Sequence, residues 1–95
     1  MRVISYKRIR DAQEKWPQSA NALQSWYEKI TNNHLANFAQ MKSVFPAADL
    51  VGRLHVFDIG GNKIRLIAGV SYSTQQVFIK HVLTHIKYDK DKWKE

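Results

Sequence analysis

The spacing of apolar residues changes once along the chain, and this change limits what the chain can fold into. In residues 1–45 the apolar residues recur every three or four positions, which is the spacing of one helix face. From Leu54 onward they alternate with other residues, as on a strand with one buried face. This order predicts an α+β fold, in which helices pack on one face of a sheet.

The first half predicts an N-terminal helical pair. A helix over residues 7–16 ends at Pro17, because proline disfavours helical geometry in the residue before it. A second helix begins near Ser19 and ends in the polar cluster at residues 31–33. We also expect a short opening strand at residues 3–4, a third short helix over 35–44, and a loop over 45–49.

The second half predicts a small, twisted antiparallel meander. Strands are expected over residues 54–59, 63–72 and 77–83. The Gly60-Gly61-Asn62 turn joins the first two, since glycine adopts the positive φ angles of a tight hairpin. We expect a helical turn or two in the tail, residues 87–95.

Size and composition predict one domain over residues 1–95, located in the cytoplasm. The chain has 95 residues and no cysteine, which excludes disulfides, thiolate catalysis and cysteine-ligated zinc. No segment has the apolar run of a signal peptide or a membrane span, so we expect no membrane partner.

The charge of the chain favours a nucleic-acid partner. Fifteen Lys and Arg residues stand against eight Asp and Glu, for a net charge of +7. An acidic protein, an anionic membrane surface, or a merely solubilising excess of charge would also fit this balance. Charge alone does not separate DNA from RNA, or binding from cleavage.

Arg65 and the histidines are the candidate chemical groups. Arg65 lies in mid-strand between apolar neighbours, and its guanidinium matches the oxygens of a phosphate. His81 and His85 are four residues apart, which on a strand separates them by roughly 13 Å, too far for one metal ion. We therefore expect no metal and no cofactor. His81 has the same parity as Val77, Ile79 and Leu83, which predicts a half-buried structural role.

His85 and Tyr88 follow the last predicted strand. Catalytic groups often lie where a rigid strand ends. Histidine changes its charge near neutral pH, and tyrosine can stack on a base or donate a proton. A purely structural role for this pair is also open.

Two segments resemble the HigB-type toxins of the RelE-like mRNA interferase superfamily. Residues 56–68, Val-Phe-Asp-Ile-Gly-Gly-Asn-Lys-Ile-Arg-Leu-Ile-Ala, are similar to the central hairpin of that family. Residues 82–89, Val-Leu-Thr-His-Ile-Lys-Tyr-Asp, resemble its closing motif. Phe45-Pro46 followed by Asp49 is similar to its approach to the hairpin, so the resemblance spans essentially the whole chain.

The resemblance implies a RelE-like fold and a toxin of a type II toxin–antitoxin system. Such a toxin cleaves mRNA without metal on the translating ribosome and so inhibits translation. The implied partners are mRNA, the ribosome and a cognate HigA-type helix-turn-helix antitoxin. Asp58 departs from the family, in which an uncharged amide is usual. A carboxylate facing RNA would oppose phosphate binding, whereas one facing solvent would change nothing.

Cleavage of RNA without metal needs a base, a cation and an acid around the attacking ribose 2′-OH. We predict Arg65 as the phosphate clamp, His85 as the general acid and Tyr88 as a group that stacks on or orients the nucleotide. His55 is the predicted base, because it lies on the strand opposite Arg65, where superfamily members carry basic groups. The predicted RNA-backbone contacts are Lys63, Lys80 and Lys87.

Two other classes of protein remain open from the sequence. A DNA-binding module would also be small and basic, but the basic residues cluster on strands and no helix-turn-helix signature is present. A non-catalytic basic RNA- or ribosome-binding protein would explain the charge and the aromatic residues without chemistry.

Overall fold

The computed structural model describes residues 1–61 and 63–89, and it has the predicted α+β arrangement. In chain order the elements are β1 (Arg2–Ile4), α1 (Tyr6–Lys15), α2 (Ala20–Thr31), α3 (Phe38–Val44), β2 (Asp49–Val51), β3 (Leu54–Ile59), β4 (Ile64–Ser71), β5 (Gln76–Thr84) and α4 (His85–Asp89). A 3₁₀ turn, Pro17–Ser19, joins the helical pair. Asn62 and the predicted tail beyond Asp89 lie outside the described residues.

The strands form one mixed sheet in the order β1-β5-β4-β3-β2. β3, β4 and β5 form the predicted antiparallel meander, and Gly60 and Gly61 have the positive φ angles of 66° and 63° expected at the hairpin. β2 adds antiparallel to β3, whereas β1 pairs parallel with β5, so the sheet is mixed rather than antiparallel throughout. Parallel pairing needs a long crossover, which the helices and the remaining strands supply.

Two element boundaries also differ from the prediction. α3 begins at Phe38 rather than residue 35, because the side chain of Asn37 caps it by accepting the Gln40 amide at 2.9 Å. Residues 49–51 form β2 along the edge of β3, a strand that was not predicted and that begins at the last residue of the loop expected over 45–49. This short edge strand places Asp49 beside Val56.

The helices cover one face of the sheet, which we call the packed face. The buried residues there come from both layers and include Ile9, Leu23, Trp26, Ile30, Met41, Phe57, Leu66 and Ile79. Phe57 is 1% exposed, and its ring meets those of Trp26 and Phe45 edge-on. The opposite face of the sheet, which we call the open face, carries a smaller buried cluster of Leu54, Val56 and Ile67.

A bulge in β5 changes which residues of that strand reach the open face. Ile79 pairs with Ala68, but Ile67 pairs with His81, so Lys80 is an extra residue without a partner across the ladder. The alternation of β5 therefore shifts by one residue at Lys80. The prediction that His81 shares a face with Val77 and Ile79 is wrong, because His81 instead lies opposite Ile67 on the open face.

Among the helices of the described residues, none has the length and apolar character needed to cross a lipid bilayer.

Candidate functional site

The open face brings charged residues together on adjacent strands. Asp58 on β3 pairs with Arg65 on β4, and Arg65 pairs with Leu83 on β5. A second row of paired residues crosses the same three strands: Val56 on β3 pairs with Ile67 on β4, and Ile67 pairs with His81 on β5. Paired residues share a face of a sheet, so both rows project away from the helices.

Arg65 is the most enclosed cation of this surface. Its Nη1 donates to Oδ1 of Asp58 at 3.0 Å, and the two side chains are 13% and 22% exposed. The guanidinium carbon lies 5.4 Å from the centre of the Tyr88 ring, a cation–π distance. The flanking side chains of Asp58 and Tyr88 thus hold the Arg65 guanidinium in one orientation on this face of the sheet.

A pocket of about 400 Å³ opens over this arginine. Its walls come from α3, the loop after it, β2, β3, β4 and α4, through Lys42, Pro46, Ala47, Asp49, Val56, Asp58, Arg65 and Tyr88. Lys42 donates to the carbonyl oxygen of Ala48 at 3.0 Å and lies 3.6 Å from Asp49. The pocket therefore has two cations on its walls, and each is balanced by a carboxylate.

α4 carries the other two predicted groups of this site. His85 is its first residue, and its backbone amide donates to the Lys63 carbonyl at 3.3 Å. The imidazole is about half exposed, at 51%, and its Nε2 lies 3.3 Å from Oδ2 of Asp89. His85 and Tyr88 are three residues apart on one helix, so their side chains are neighbours on its surface. The structure thus brings Arg65 and Tyr88 into contact and places His85 beside Tyr88.

His55 does not reach this surface. Strand alternation places it on the packed face with Phe57, and it is 4% exposed. Its Nε2 hydrogen-bonds the Tyr72 hydroxyl at 2.7 Å, and its ring meets that of Phe38 edge-on at 5.4 Å. Burial lowers the pKa of His55 and raises that of Tyr72. A residue enclosed on the opposite face cannot take a proton from a substrate bound at Arg65.

The three predicted RNA-backbone lysines are all exposed, on separate parts of the chain. Lys63 follows the hairpin turn, Lys80 is the bulged residue of β5, and Lys87 lies on α4. The side chain of Lys80 extends across Gly69, where a Cβ would lie in ordinary van der Waals contact, 3.6 Å from the lysine Cε.

Several residues of the site were not predicted from the sequence. Lys42 reaches the pocket from α3, and Asp49 reaches it from β2, a three-residue strand that carries no periodicity of its own. The pairing of Asp58 with Arg65 follows from the pairing of Ile59 with Ile64, whereas the predicted three-residue turn over 60–62 would have paired Asp58 with Ile64. The sequence carries no signal for His81 on the open face, because its position depends on a bulge, and a bulge depends on local backbone geometry. In the described ranges, 1–61 and 63–89, no three His, Asp or Glu side chains are grouped so that they could hold a metal ion.

Comparison with known proteins identifies the class to which this fold and surface belong. Residues 19–91 match the model of the HigB toxin family, described as the RelE-like toxic component of a toxin–antitoxin system. The mRNA interferase toxin HigB of Escherichia coli K12 is 34% identical over 92 residues, which cover 94% of this chain and 88% of that protein. An mRNA interferase HigB of Escherichia coli O6:H1 is 32% identical over 93 residues, covering 95% and 90%. The chain therefore belongs to the HigB toxin family.

Proposed function

We propose that this protein is the toxin of a toxin–antitoxin pair and acts as an endoribonuclease on mRNA. Its family supports the toxin role, and its relatives are named mRNA interferases. The observation that carries the proposal for the site is Arg65, held between Asp58 and Tyr88 at the wall of an open pocket. A cation fixed in this way can bind a phosphodiester and stabilise the charge that develops during its cleavage.

RNA would bind along the open face through its backbone and one base. The scissile phosphate contacts Arg65, and the adjacent base stacks on or is oriented by Tyr88. Lys63, Lys80 and Lys87 contact the flanking phosphates. The net charge of +7 attracts the strand, so affinity should fall with salt, by roughly 0.7 log units per log unit of salt for each phosphate contacted.

The reaction uses the nucleophile that RNA itself supplies. The ribose 2′-OH attacks the adjacent phosphorus while Arg65 stabilises the pentavalent phosphorane. His85 gives a proton to the departing 5′-oxygen. Oδ2 of Asp89 lies 3.3 Å from Nε2 of His85 and can orient the imidazole. The products are a 2′,3′-cyclic phosphate and a 5′-hydroxyl, and no step calls on a metal ion.

We further propose that cleavage takes place on the translating ribosome, in the cytoplasm, and that a HigA-type helix-turn-helix antitoxin neutralises the protein. The pocket supports the first point because it lies on an open sheet face rather than in a deep cleft. Such a face can approach an mRNA that a larger particle holds extended.

The proposal is tested by cleavage of a short mRNA, free in EDTA and separately on programmed ribosomes, with the ends of the products analysed. We expect cuts with cyclic phosphate and 5′-hydroxyl ends, and none where the nucleotide at the scissile position is 2′-deoxy. His85→Gln should slow the reaction by ~10²–10⁴. Efficient cutting of the 2′-deoxy substrate would exclude the mechanism. Binding without cutting in both settings would favour a non-catalytic RNA-binding protein.

A further inference from the structure

The bulge in β5 places an imidazole beside the proposed phosphate site. With Lys80 as the extra residue, His81 lies across from Ile67 on the open face and is half-buried there. Arg65 pairs with Leu83, which is two residues along the same strand from His81. Diagonal neighbours of this kind lie about 7–8 Å apart across two strands, within reach of long side chains.

We propose that His81 is the general base of the reaction, the group that accepts the proton of the attacking 2′-OH. The proposal rests on the proposed function and names a residue that the sequence alone assigned to a structural role. His81 takes the role of general base that was predicted for His55, because His55 is enclosed on the packed face.

The proton balance closes with two histidines. The bond between O2′ and phosphorus forms as the O2′ proton passes to the neutral imidazole of His81. The bond between phosphorus and O5′ breaks as O5′ takes a proton from His85. His81 then releases its proton to water and His85 takes one up, so the protein returns to its initial state.

Other candidate bases of the described residues fit less well. His34 is exposed in the segment between α2 and α3, away from the sheet face. The Asp58 carboxylate is 3.0 Å from the Arg65 guanidinium and serves to hold that cation in place. His81 has the titratable group suited to neutral pH and lies on the correct face.

The bulge that presents His81 is fixed from a second element. Nη1 of Arg8, on α1, donates to the carbonyl oxygen of Lys80 at 2.9 Å, which satisfies a backbone group at the bulge. Charged or titratable groups on β5 and on the elements around it include Arg2 on β1, Arg8 on α1, Asp58 on β3, Arg65 on β4, Lys80 on β5, and His85, Lys87, Tyr88 and Asp89 on α4. A pH profile must therefore separate the effect of His81 from that of His85, the proposed acid.

The test compares His81→Gln and His81→Ala with the wild type, and uses His34→Gln as the matched control. Single-turnover cleavage of mRNA on programmed ribosomes is measured between pH 6 and 8.5, and affinity is measured with the uncleavable 2′-deoxy substrate. Circular dichroism and thermal unfolding check the fold of each variant. We expect both His81 variants to cleave ~10²–10⁴ times more slowly. They should also lose the limb of the profile in which the rate rises with pH, while affinity changes less than about twofold.

Added imidazole should restore part of the activity of His81→Ala, a result that a merely structural role would not give. His34→Gln should behave as the wild type. If the wild type cleaves and His81→Gln keeps both its rate and its pH profile, His81 is not the base, although the proposed function stands. A loss of affinity without a change in the profile would likewise overturn the proposal. If the wild type itself leaves translated mRNA intact, the proposed function fails, and this proposal fails with it.

Discussion

The packed face and the open face of the sheet are made by the same strands, and they differ in what their side chains contact. On β3 and β4, Phe57 and Leu66 pack under the helices with almost no exposure. The neighbouring residues in sequence, Asp58 and Arg65, form an ion pair at the wall of a pocket. Within β3 and β4, strands of six and eight residues, alternate side chains thus stabilise the core or form the proposed site. Substitutions at adjacent positions should have different consequences.

The largest effect should come from the packed face. Phe57→Ala removes a ring that is 1% exposed and contacts two other aromatic rings, so we expect it to lower the free energy of unfolding by ~3–5 kcal/mol. Urea unfolding measures this cost. Val56→Ala, its neighbour on the open face, should cost less, about 1.5–3 kcal/mol. Equal costs would mean that the Phe57 ring contributes no more to packing than the Val56 side chain, against the ring contacts of Phe57.

The second effect should appear in activity rather than in folding. Arg65→Ala removes the cation that we propose to stabilise the phosphorane, and it should slow mRNA cleavage by ~10²–10³ and relieve growth arrest on induction. The variant should still unfold cooperatively. Arg53→Ala, at an exposed arginine in the turn between β2 and β3, is the matched control and should keep full activity. A well-expressed Arg65→Ala protein that remains fully toxic would contradict the assigned site.

The same contrast explains how much of the fold the sequence could predict. Helical spacing and strand alternation are long-range patterns, so α1, α2, β3, β4 and β5 were predicted within a few residues of their observed bounds. β1 and β2 have three residues each, which is too short for a pattern, and their partners are decided by the assembled sheet. The parallel pairing of β1 was therefore missed, and so was the contribution of Asp49 to the pocket.

The alternation of side chains along a strand predicts which face of the sheet a site residue occupies, as long as the strand is regular. Arg65 and Tyr88 were identified separately, but their contact depends on where α4 turns back over β4. His55 has the same parity as Phe57, whose large ring lies in the core, so the two residues share the packed face. His81 shows the opposite case, since strict alternation gives the wrong face once Lys80 is bulged out.

The third prediction concerns the histidine on the packed face. Burial lowers the pKa of His55 in the folded protein below its ordinary value of 6.5, so the unfolded chain binds the proton more tightly. Its contribution to stability is complete above about pH 6.5 and is lost as pH falls from there towards the lowered pKa. The free energy of unfolding should thus decrease from pH 7.5 to 5.5, and less steeply in His55→Leu. His34→Gln, at an exposed histidine, should keep the wild-type slope. Identical slopes for His55→Leu and wild type would show that this ring does not control acid stability.

The smallest effect should come from the carboxylate that faces Arg65 on the open face. Asp58→Asn keeps the shape of the side chain and removes a negative charge 3.0 Å from the guanidinium, so a phosphate no longer competes with it. Partly exposed pairs contribute up to about 1 kcal/mol, which corresponds to a gain in RNA affinity of roughly two- to fivefold at low salt. Fluorescence anisotropy with a 2′-deoxy substrate measures this gain.

Asp49→Asn is the control for this prediction: its carboxylate is 71% exposed and 3.6 Å from Lys42, so the gain in RNA affinity should be smaller. If Asp58→Asn binds RNA more tightly yet cleaves far more slowly, the carboxylate takes part in the chemistry, and the base must be sought at Asp58 rather than at His81.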